Sequence, residues 1–321
     1  MWRCCENGTM PEHVRCNLCG GDSPKFLFRA RDYRLRTDDV VWSVVRCAVC
    51  GLGYLDPQPT PDEIHRYYPP EYFDRSDAPA RERYEHEAKY LPSRPGRLLD
   101  IGTADGGFLT VMSERGWQVE GIEASEAARA PADLTVHRVP FPGDSGLAAA
   151  SFDVITAWAV FEHLHDPAAA FRECARLLRP DGLLIAQVPN LDSAFGRFSR
   201  QEDIPRHLYF FSPRTLRQYA ARSGLALERI VHTTDLFGGS GRGVLRLLLT
   251  HAVGGTTLSY FDFLALKRRE RFRRRPLFAS AWHVTAALER LILADRVVRT
   301  ARISGQIVAL FRRPPADRGS T

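Results

Sequence analysis

The chain has 321 residues, of which 44% are hydrophobic and 26% are charged. These proportions match those of globular proteins, so they exclude a disordered chain and allow one large domain and a small one. The net charge of +6 is uneven, because residues 237–321 carry 16 Lys and Arg against 5 Asp and Glu. The most apolar window, 244–266, includes Arg246, His251 and Asp262 and is too polar for a transmembrane helix. The first residues lack the continuous apolar segment of a secretory signal, so we expect a cytoplasmic protein.

Four of the seven cysteines form two CxxC pairs, Cys16 with Cys19 and Cys47 with Cys50, and a glycine follows each pair. Two strand-like segments and a polar turn separate the pairs, as expected for two knuckles joined by a hairpin. Four thiolates suit tetrahedral Zn(II), and a structural zinc can stabilise a small unit with little core of its own. The spacing therefore predicts a zinc ribbon, with two reduced pairs that merely pack as the alternative.

The next segment, residues 61–95, reads as a Pro-rich connector with clustered aromatic side chains, followed by a charged helix from residue 80 to 91. The clustered aromatics are Tyr67, Tyr68, Tyr72 and Phe73. These rings could line a ligand pocket or pack the connector against the next domain. The sequence leaves both roles open.

From residue 97 onward, strand-like and helix-like segments alternate, which is typical of a doubly wound α/β sheet. Strands are expected at 97–101, 117–123, 134–139, 152–158, 182–188, 225–232 and 306–311. Helices are expected at 108–115, 125–130, 168–178 and 215–223. A long Arg-rich insert separates the last two strands.

Small residues occupy the turn between the first of these strands and its helix, where residues 98–107 read Leu-Leu-Asp-Ile-Gly-Thr-Ala-Asp-Gly-Gly. Glycines there let the backbone approach a ligand closely. Glu123 ends the second strand, where a carboxylate can accept hydrogen bonds from both hydroxyls of a ribose. Asp100 and Asp105 would repel a pyrophosphate, whereas they suit a ligand with an ammonium group and a sulfonium centre. The turn therefore predicts a site for S-adenosylmethionine.

These motifs resemble those of class I S-adenosylmethionine-dependent methyltransferases, specifically members with an N-terminal zinc-binding module. The similarity is carried by residues 98–107, by Glu123, by Ser-Phe-Asp-Val-Ile at 151–155, by Val-Phe-Glu-His-Leu at 160–164, by Leu-Leu-Arg-Pro-Asp-Gly-Leu-Leu at 177–184 and by His-Leu-Tyr-Phe-Phe-Ser-Pro at 207–213. The resemblance implies a seven-stranded Rossmann-like sheet with its last strand antiparallel and a helical insert before that strand. It also implies a donor site formed by Asp100, Gly102, Ala104, Gly106, Glu123 and Glu162. Ala104 stands where the family usually has glycine, which keeps that position small.

Two histidines are candidates for the proton transfer that a weak acceptor nucleophile requires. His163 follows the fourth strand at the carboxyl edge of the sheet, where such folds bind ligands, and His207 lies in the segment after the fifth strand. A structural role is open for each, because Glu162 and His163 could hydrogen-bond the loop before Asp166 and His207 could orient its neighbours. Loop 191–203 is expected to cover the acceptor site.

The insert contains the most basic run of the chain, with seven Lys and Arg among residues 267–275. Apolar segments on both sides favour a helical cap with an interfacial face. Three roles stay open for the insert: a solvated cap, contact with a membrane surface or a lipid-linked acceptor, and contact with nucleic acid or a partner protein. Nucleic acid is disfavoured, and the membrane role would place the protein at the inner face of the membrane.

These observations predict a chain of five parts. The parts are a zinc-ribbon module at 1–60, a connector and helix at 61–95, a methyltransferase core that binds S-adenosylmethionine at 96–235, a basic helical insert at 236–303, and the last core strand and tail at 304–321. The expected activity is methyl transfer to a small-molecule, glycan or lipid-linked acceptor, with O-methylation ahead of C-methylation. The rivals are a non-catalytic zinc-containing module that binds nucleic acid or protein, and a nicotinamide-dependent reductase, which the acidic turn disfavours.

Overall fold

The computed structural model describes residues 13–32, 34–73, 80–193, 203–233, 276–292 and 304–315, together with residue 249. The basic run 267–275 and loop 191–203, apart from residues 191–193 and 203, lie outside the described residues. Within the described ranges, none of the helices has the length and apolar character needed to cross a bilayer.

The larger layer of the fold is a seven-stranded sheet. Its strands are β4 (Arg97–Ile101), β5 (Gln118–Ile122), β6 (Thr135–His137), β7 (Phe152–Trp158), β8 (Leu178–Pro189), β10 (Ala226–Thr233) and β11 (Gln306–Arg312). They lie in the order β10-β11-β8-β7-β4-β5-β6. The directly paired strands run parallel except at β11, which is antiparallel to both of its neighbours. The predicted seven-stranded sheet with an antiparallel last strand is confirmed.

Six helices accompany the sheets in the described part of the chain. They are α1 (Pro70–Phe73), α2 (Ala80–Ala88), α3 (Gly107–Glu114), α4 (Pro167–Leu177), α5 (Pro213–Ser223) and α6 (Pro276–Ile292). Local signals set two of the starts: Asp166 caps α4 by accepting a hydrogen bond from the N–H of Ala169, and Ser212 forms a capping box with Thr215 at α5. Helix α6 confirms the predicted helical insert before the last strand.

A second, four-stranded sheet carries the paired cysteines. Its strands β1 (Pro24–Ala30), β2 (Trp42–Cys47), β3 (Gly53–Leu55) and β9 (Tyr209–Phe210) pair antiparallel in that order. The hairpin of β1 and β2 was expected from the sequence, whereas β3 and β9 were not. Because β9 comes from the segment after β8, the N-terminal sheet is completed by residues that follow it by about half the chain.

Buried side chains pack on both faces of the seven-stranded sheet. On one face, a continuous core runs from the four-stranded sheet, through Trp42 and Tyr54, to Phe171 of α4 and Phe311 of β11. On the other face, Phe108 of α3 packs with side chains of α2 and of the sheet. Side chains of the N-terminal sheet thus share one hydrophobic core with the seven-stranded sheet.

One predicted helix is wrong. Residues 125–130 form turns instead, and only Ala128 among them is buried. The segment lies between Glu123, whose side chain accepts a hydrogen bond from the N–H of Ser125, and Pro131. It is too short and too exposed to gain stability from packing a helical face.

The order of the strands places a ligand crevice beside β4. From β4 the chain builds outward through β5 and β6 on one side, and then crosses to β7 and β8 on the other. In open α/β sheets, ligands bind outside the carboxyl ends of the strands at such a switch point. Residues that follow β4, β5 and β7 are therefore expected to border the ligand crevice.

Candidate functional site

The turn after β4 bends sharply into α3. Gly102, Ala104 and Gly106 have φ angles of +71°, +50° and +75°, which are left-handed values. A Cβ on Gly102 would lie 2.6 Å from Cγ2 of Val160, the residue that follows β7 by two positions. Glycine is therefore required at 102, whereas Ala104 holds its left-handed conformation at a cost of about 1–2 kcal/mol.

Glu123 points at this turn from the end of β5. Its Oε2 accepts a hydrogen bond of 2.9 Å from the N–H of Ala104, and its Oε1 accepts one of 2.8 Å from the N–H of Ser125. Each carboxylate oxygen has a second lone pair, which leaves acceptors for the two hydroxyls of a ribose. The arrangement fits the predicted nucleoside site.

The two aspartates that flank the turn both have partners inside the protein. Asp100 is 2% exposed, its Oδ1 accepts a hydrogen bond of 2.6 Å from the hydroxyl of Thr156, and burial raises its pKa to about 7. Asp105 accepts hydrogen bonds from the N–H of Gly107 and from the hydroxyl of Tyr84. Asp100 thus braces the turn from beneath, and its direct contact with a ligand stays a prediction.

Helix α2 contributes side chains to the turn that the sequence did not indicate. The ring of Tyr84 lies against Gly107, where an added Cβ would be 2.4 Å from its Cε2 atom. Arg83, the neighbouring residue, pairs with the buried Glu87 at 3.3 Å. These contacts depend on how α2 packs against α3, which no local sequence pattern specifies.

Beyond β7, a 3-10 turn at Phe161–His163 brings the predicted catalytic residues together. The ring centroids of His163 and His207 are 4.6 Å apart. A carboxylate oxygen of the fully buried Glu162 and one ring nitrogen of each histidine all lie within 4.8 Å of one another. The main chain fixes this approach, because the N–H of Leu208 donates to the carbonyl of Glu162 at 2.7 Å. Such a group can share a proton or bind a divalent cation.

Two groups contact Nδ1 of His163: the carbonyl oxygen of Arg206 at 3.1 Å and the hydroxyl of Tyr68 at 2.8 Å. A carbonyl oxygen can only accept a hydrogen bond, so the contact with Arg206 favours the tautomer with the proton on Nδ1 and the lone pair on Nε2, whereas the Tyr68 hydroxyl can pair with either tautomer. Burial lowers the pKa of His163 to about 4, and therefore the ring is neutral at pH 7.

His207 is 8% exposed, and burial lowers its pKa well below the usual value. Its Nδ1 atom is buried and has no hydrogen-bond partner within the described part of the chain. Both histidines are thus neutral bases enclosed by protein. The structure brings them together beside Glu162, which sequence spacing alone did not predict.

The rings of the aromatic connector pack against the N-terminal sheet and against His163. Tyr67 packs edge-on against Trp42 at 6.0 Å and donates its hydroxyl to Asp38, so it fastens the connector to the N-terminal sheet. Tyr68 faces His163, and Tyr72 packs edge-on against Tyr68 at 4.9 Å. Two of the rings therefore form a wall of the histidine site.

The four cysteines converge as their spacing predicts. The Sγ atoms of Cys16 and Cys50 are 3.4 Å apart, those of Cys19 and Cys47 are 3.5 Å apart, and all four lie within 4.8 Å of one another. These distances suit four ligands around one tetrahedral ion with bonds of about 2.3 Å.

The first knuckle is also docked on the large layer. Asn17 donates to Asp166 at 2.9 Å and accepts from the hydroxyl of Tyr219 at 3.0 Å.

A cavity of about 400 Å³ lies away from these residues, at the far edge of the seven-stranded sheet. It is lined by Asn190, Asp192, Pro213, Arg217, Leu227, Glu228, Arg229, Ile230 and His232. Of these residues, only Asp192 belongs to a segment predicted to cover the acceptor, and Glu228 is ion-paired with Arg312. The convergent chemistry lies at the switch point instead.

The comparison with known families agrees with this geometry. A family model described as a methyltransferase domain matches residues 74–230, the span that contains the turn, Glu123 and the histidine pair. The match identifies residues 74–230 as a methyltransferase domain, as the resemblance to class I S-adenosylmethionine-dependent methyltransferases predicts. This methyltransferase is therefore an enzyme with S-adenosylmethionine as its donor, and neither the reductase nor the non-catalytic scaffold describes it.

Individual relatives share about a third of their residues or fewer with this chain over the aligned region. The methyltransferase is 27% identical over 157 residues to a ubiquinone biosynthesis O-methyltransferase from Stutzerimonas stutzeri (strain A1501), covering 43% of this chain and 68% of the relative. A protein of the same name from Caulobacter sp. (strain K31) is 32% identical over 157 residues, covering 46% and 62% of the two chains. Among solved structures, an S-adenosylmethionine dependent methyltransferase from Mesorhizobium loti has a TM-score of 0.45 at 16% identity and covers 74% of this chain and 99% of that one.

Proposed function

We propose that this methyltransferase acts on a hydroxyl group of a small-molecule, glycan or lipid-linked acceptor. The observation that carries the proposal is the contact between Nδ1 of His163 and the carbonyl of Arg206, which favours the tautomer with Nε2 as a proton acceptor. A hydroxyl is a weak nucleophile and must lose its proton as it is methylated, so a neutral imidazole beside the donor site is the group it needs. The relatives' names, which specify O-methylation, agree with this choice.

The donor side of the site is formed by the turn and Glu123. The backbone at Gly102 and Ala104 approaches the donor, and the carboxylate of Glu123 accepts hydrogen bonds from its ribose hydroxyls. Bound S-adenosylmethionine supplies an electrophilic methyl group. Val160 lies against Gly102, and His163 follows Val160 by three residues, so the histidine pair follows the strand end that lies next to the turn.

On the acceptor side, Nε2 of His163 takes the hydroxyl proton while the new oxygen–carbon bond forms and the methyl–sulfur bond of the donor breaks, so that the sulfur leaves as a neutral thioether. The carboxylate of Asp203 favours the resulting imidazolium electrostatically, whereas burial opposes it. Tyr68 and the carbonyl of Arg206 hold the ring in place during this transfer. His207 borders the same space and is the second candidate base.

The proposal is tested by incubating the purified full chain with S-adenosylmethionine and a panel of phenols, sugars and polyprenyl glycans. Mass spectrometry should detect a product heavier by one CH₂ on oxygen. His163→Gln should lower turnover by about 10²-fold or more while donor binding is retained. A product methylated on carbon or nitrogen, or full activity of His163→Gln, would contradict the proposal.

We also propose that the four cysteines bind one structural Zn(II). The support is the convergence of the thiols of Cys16, Cys19, Cys47 and Cys50 and the small size of the sheet that they join. A bound ion would fix the two knuckles, including Asn17, against the helices α4 and α5. The role of the ion would be to hold the N-terminal sheet in place beside the methyltransferase core rather than to take part in methyl transfer.

A specific observation also favours membrane contact for the insert. Along α6 the exposed positions are Ser280, His283, Val284, Ala287, Leu288 and Leu291. They recur at helical spacing, so they form one face that is mainly apolar, with His283 as its one titratable side chain among these positions. Val284 is 58% exposed and Leu291 is 79% exposed. The basic run 267–275 precedes this helix, and we propose that the two together bind an anionic membrane surface.

A further inference from the structure

Arg206 precedes the candidate base His207, and its side chain is completely buried. Its two terminal nitrogens bond both oxygens of Asp32, at 3.0 and 2.7 Å. Its Nε and one terminal nitrogen bond Asp203 at 3.0 and 2.8 Å, and the remaining N–H donates to the carbonyl of Tyr67 at 3.0 Å. All five donors of the guanidinium are therefore satisfied in one geometry.

Asp32 lies in the loop between β1 and β2. The ion pair of Arg206 with Asp32 therefore ties the segment of His207 to the cysteine-bearing sheet. The carboxylate of Asp32 is held independently by the N–H of Leu35 and by both the N–H and the hydroxyl of Thr37. The Arg206 guanidinium and these donors keep the pKa of the buried Asp32 below its usual range, although burial alone would raise it. The anchor point of Arg206 is thus a rigid, charged carboxylate.

The backbone of Arg206 faces the other way, toward the site. Its carbonyl oxygen lies 3.1 Å from Nδ1 of His163, and a hydrogen bond between them requires the tautomer with the lone pair on Nε2. The following residue, His207, donates its own N–H to the main-chain carbonyl of Asp203, and the Arg206 side chain binds the carboxylate of the same residue. The side chain and the main chain of this segment are therefore locked together.

We propose that Arg206 is a positioning residue, whose guanidinium, held by Asp32 of the N-terminal sheet, fixes its own carbonyl where it orients His163 as the Nδ1–H tautomer. The proposal rests on the proposed function, in which Nε2 of His163 is the base. It assigns the cysteine-bearing sheet a part in the chemistry, because that sheet supplies the anchor.

The energetics favour positioning over stability as the role of this pair. Removing two charges from water costs several kcal/mol per ion, and buried pairs can often be replaced by apolar side chains without loss of stability. What an apolar pair could not reproduce is the fork geometry, in which one guanidinium orients two carboxylates and a carbonyl at once. Lysine has the charge but not the fork, so Arg206→Lys separates the two properties.

The test is the tautomer of His163, read from imidazole ¹⁵N shifts in the full chain labelled with ¹⁵N-histidine and assigned with His163→Gln. The wild-type protein should show the Nδ1–H form. In Arg206→Lys, the ratio of Nδ1–H to Nε2–H should fall about tenfold, the change expected for the loss of one hydrogen bond. Arg179→Lys is the matched control, because Arg179 bonds both oxygens of Asp153 far from the histidines and its loss should leave the ratio unchanged.

Asp32→Asn serves if Arg206→Lys does not fold, because it retains one acceptor oxygen and should produce the same shift in the ratio. A wild-type protein in the Nε2–H form, or an unchanged ratio in the folded variants, would overturn the proposal. The measurement needs no acceptor, so it is independent of the methyl-transfer assay. Failure of that assay together with a tautomer change would reject the proposed function and leave the positioning role intact.

Discussion

The carboxylate of Glu123 accepts a hydrogen bond of 2.9 Å from the N–H of Ala104, which joins the end of β5 to the turn after β4. This contact directs the carboxylate that follows β5 toward the predicted donor site. Asp100, by contrast, lies beneath the turn with its oxygen bonded to Thr156. We therefore expect recognition of the donor ribose to depend on Glu123.

Glu123→Gln should weaken binding of S-adenosylmethionine by about 10- to 100-fold, because hydrogen bonds to a charged acceptor are replaced by neutral ones. Isothermal titration calorimetry measures the dissociation constant. Glu120→Gln is the control, since Glu120 lies on the same strand but pairs with Arg97 and His137 instead of the turn. Equal affinity of Glu123→Gln and the wild-type protein would show that the donor binds elsewhere.

The turn itself can be tested through Gly102. Gly102→Ala combines a left-handed residue, which costs about 1–2 kcal/mol, with a methyl group 2.6 Å from Val160, which adds about 1–3 kcal/mol. Gly146→Ala has a similar φ of +67° and open space around it, so it should show only the first cost. Urea unfolding measures both, and adding Val160→Ala to Gly102→Ala should recover part of the difference. Equal losses in the two glycine variants would mean that Val160 does not confine the turn.

Local patterns were enough to predict the turn after β4 and the acid that faces it. A strand, a turn of small residues, a helix and an acid on the next strand are all specified within residues 97–123. The antiparallel position of β11 came from a family resemblance, because no local signal reports which strand pairs with which. The helix predicted at 125–130 was wrong because the segment has no buried face that would stabilise a helix there.

The acceptor side depends on contacts that a sequence does not display. Arg206 and Asp32 are separated by 174 positions, yet they form the buried pair that holds the His207 segment. The strand β9, only two residues long, completes a sheet that begins near residue 24. The spacing of His163 and His207 indicated two candidates, and only the fold shows that their rings are neighbours.

Metal content tests the cysteine cluster. The purified full chain should contain about one zinc ion, and Cys47→Ser should lose most of it because a structural site needs all four ligands. Cys174→Ala is the control, since Cys174 is buried in α4 away from the cluster. Chelation should lower the melting temperature of the wild-type protein and leave that of Cys47→Ser unchanged. A folded wild-type protein free of metal would contradict the zinc proposal.

The neutral state of His163 predicts a specific pH dependence of stability. Its folded-state pKa of about 4 lies below the ordinary 6.5, so the unfolded chain binds more protons between these values. The free energy of unfolding should therefore fall as pH decreases from about 6.5 to about 4. The contribution of Asp100 has the opposite sign, because its raised pKa of about 7 makes stability fall as pH rises toward 7.

His163→Gln isolates the first effect, since Asp100 is present in both proteins. The slope of unfolding free energy against pH should become shallower in the variant by up to about 1.4 kcal/mol per pH unit within that window. Urea titrations at several pH values give the slope. His65→Gln, at an exposed position, controls for the loss of a histidine, and a slope unchanged by His163→Gln would show that the ring titrates normally.

The exposed face of α6 predicts binding to anionic vesicles. Flotation with phosphatidylglycerol vesicles should recover the full chain at low salt, and pure phosphatidylcholine should recover much less, because the basic run adds about 1 kcal/mol per cation near the surface. Leu288→Glu places a charge on that face and should weaken binding by about tenfold or more. Phe26→Glu is the matched control, since Phe26 is 62% exposed but lies on β1. Equal binding of both variants, or no binding by the wild-type chain, would assign α6 to a role away from membranes.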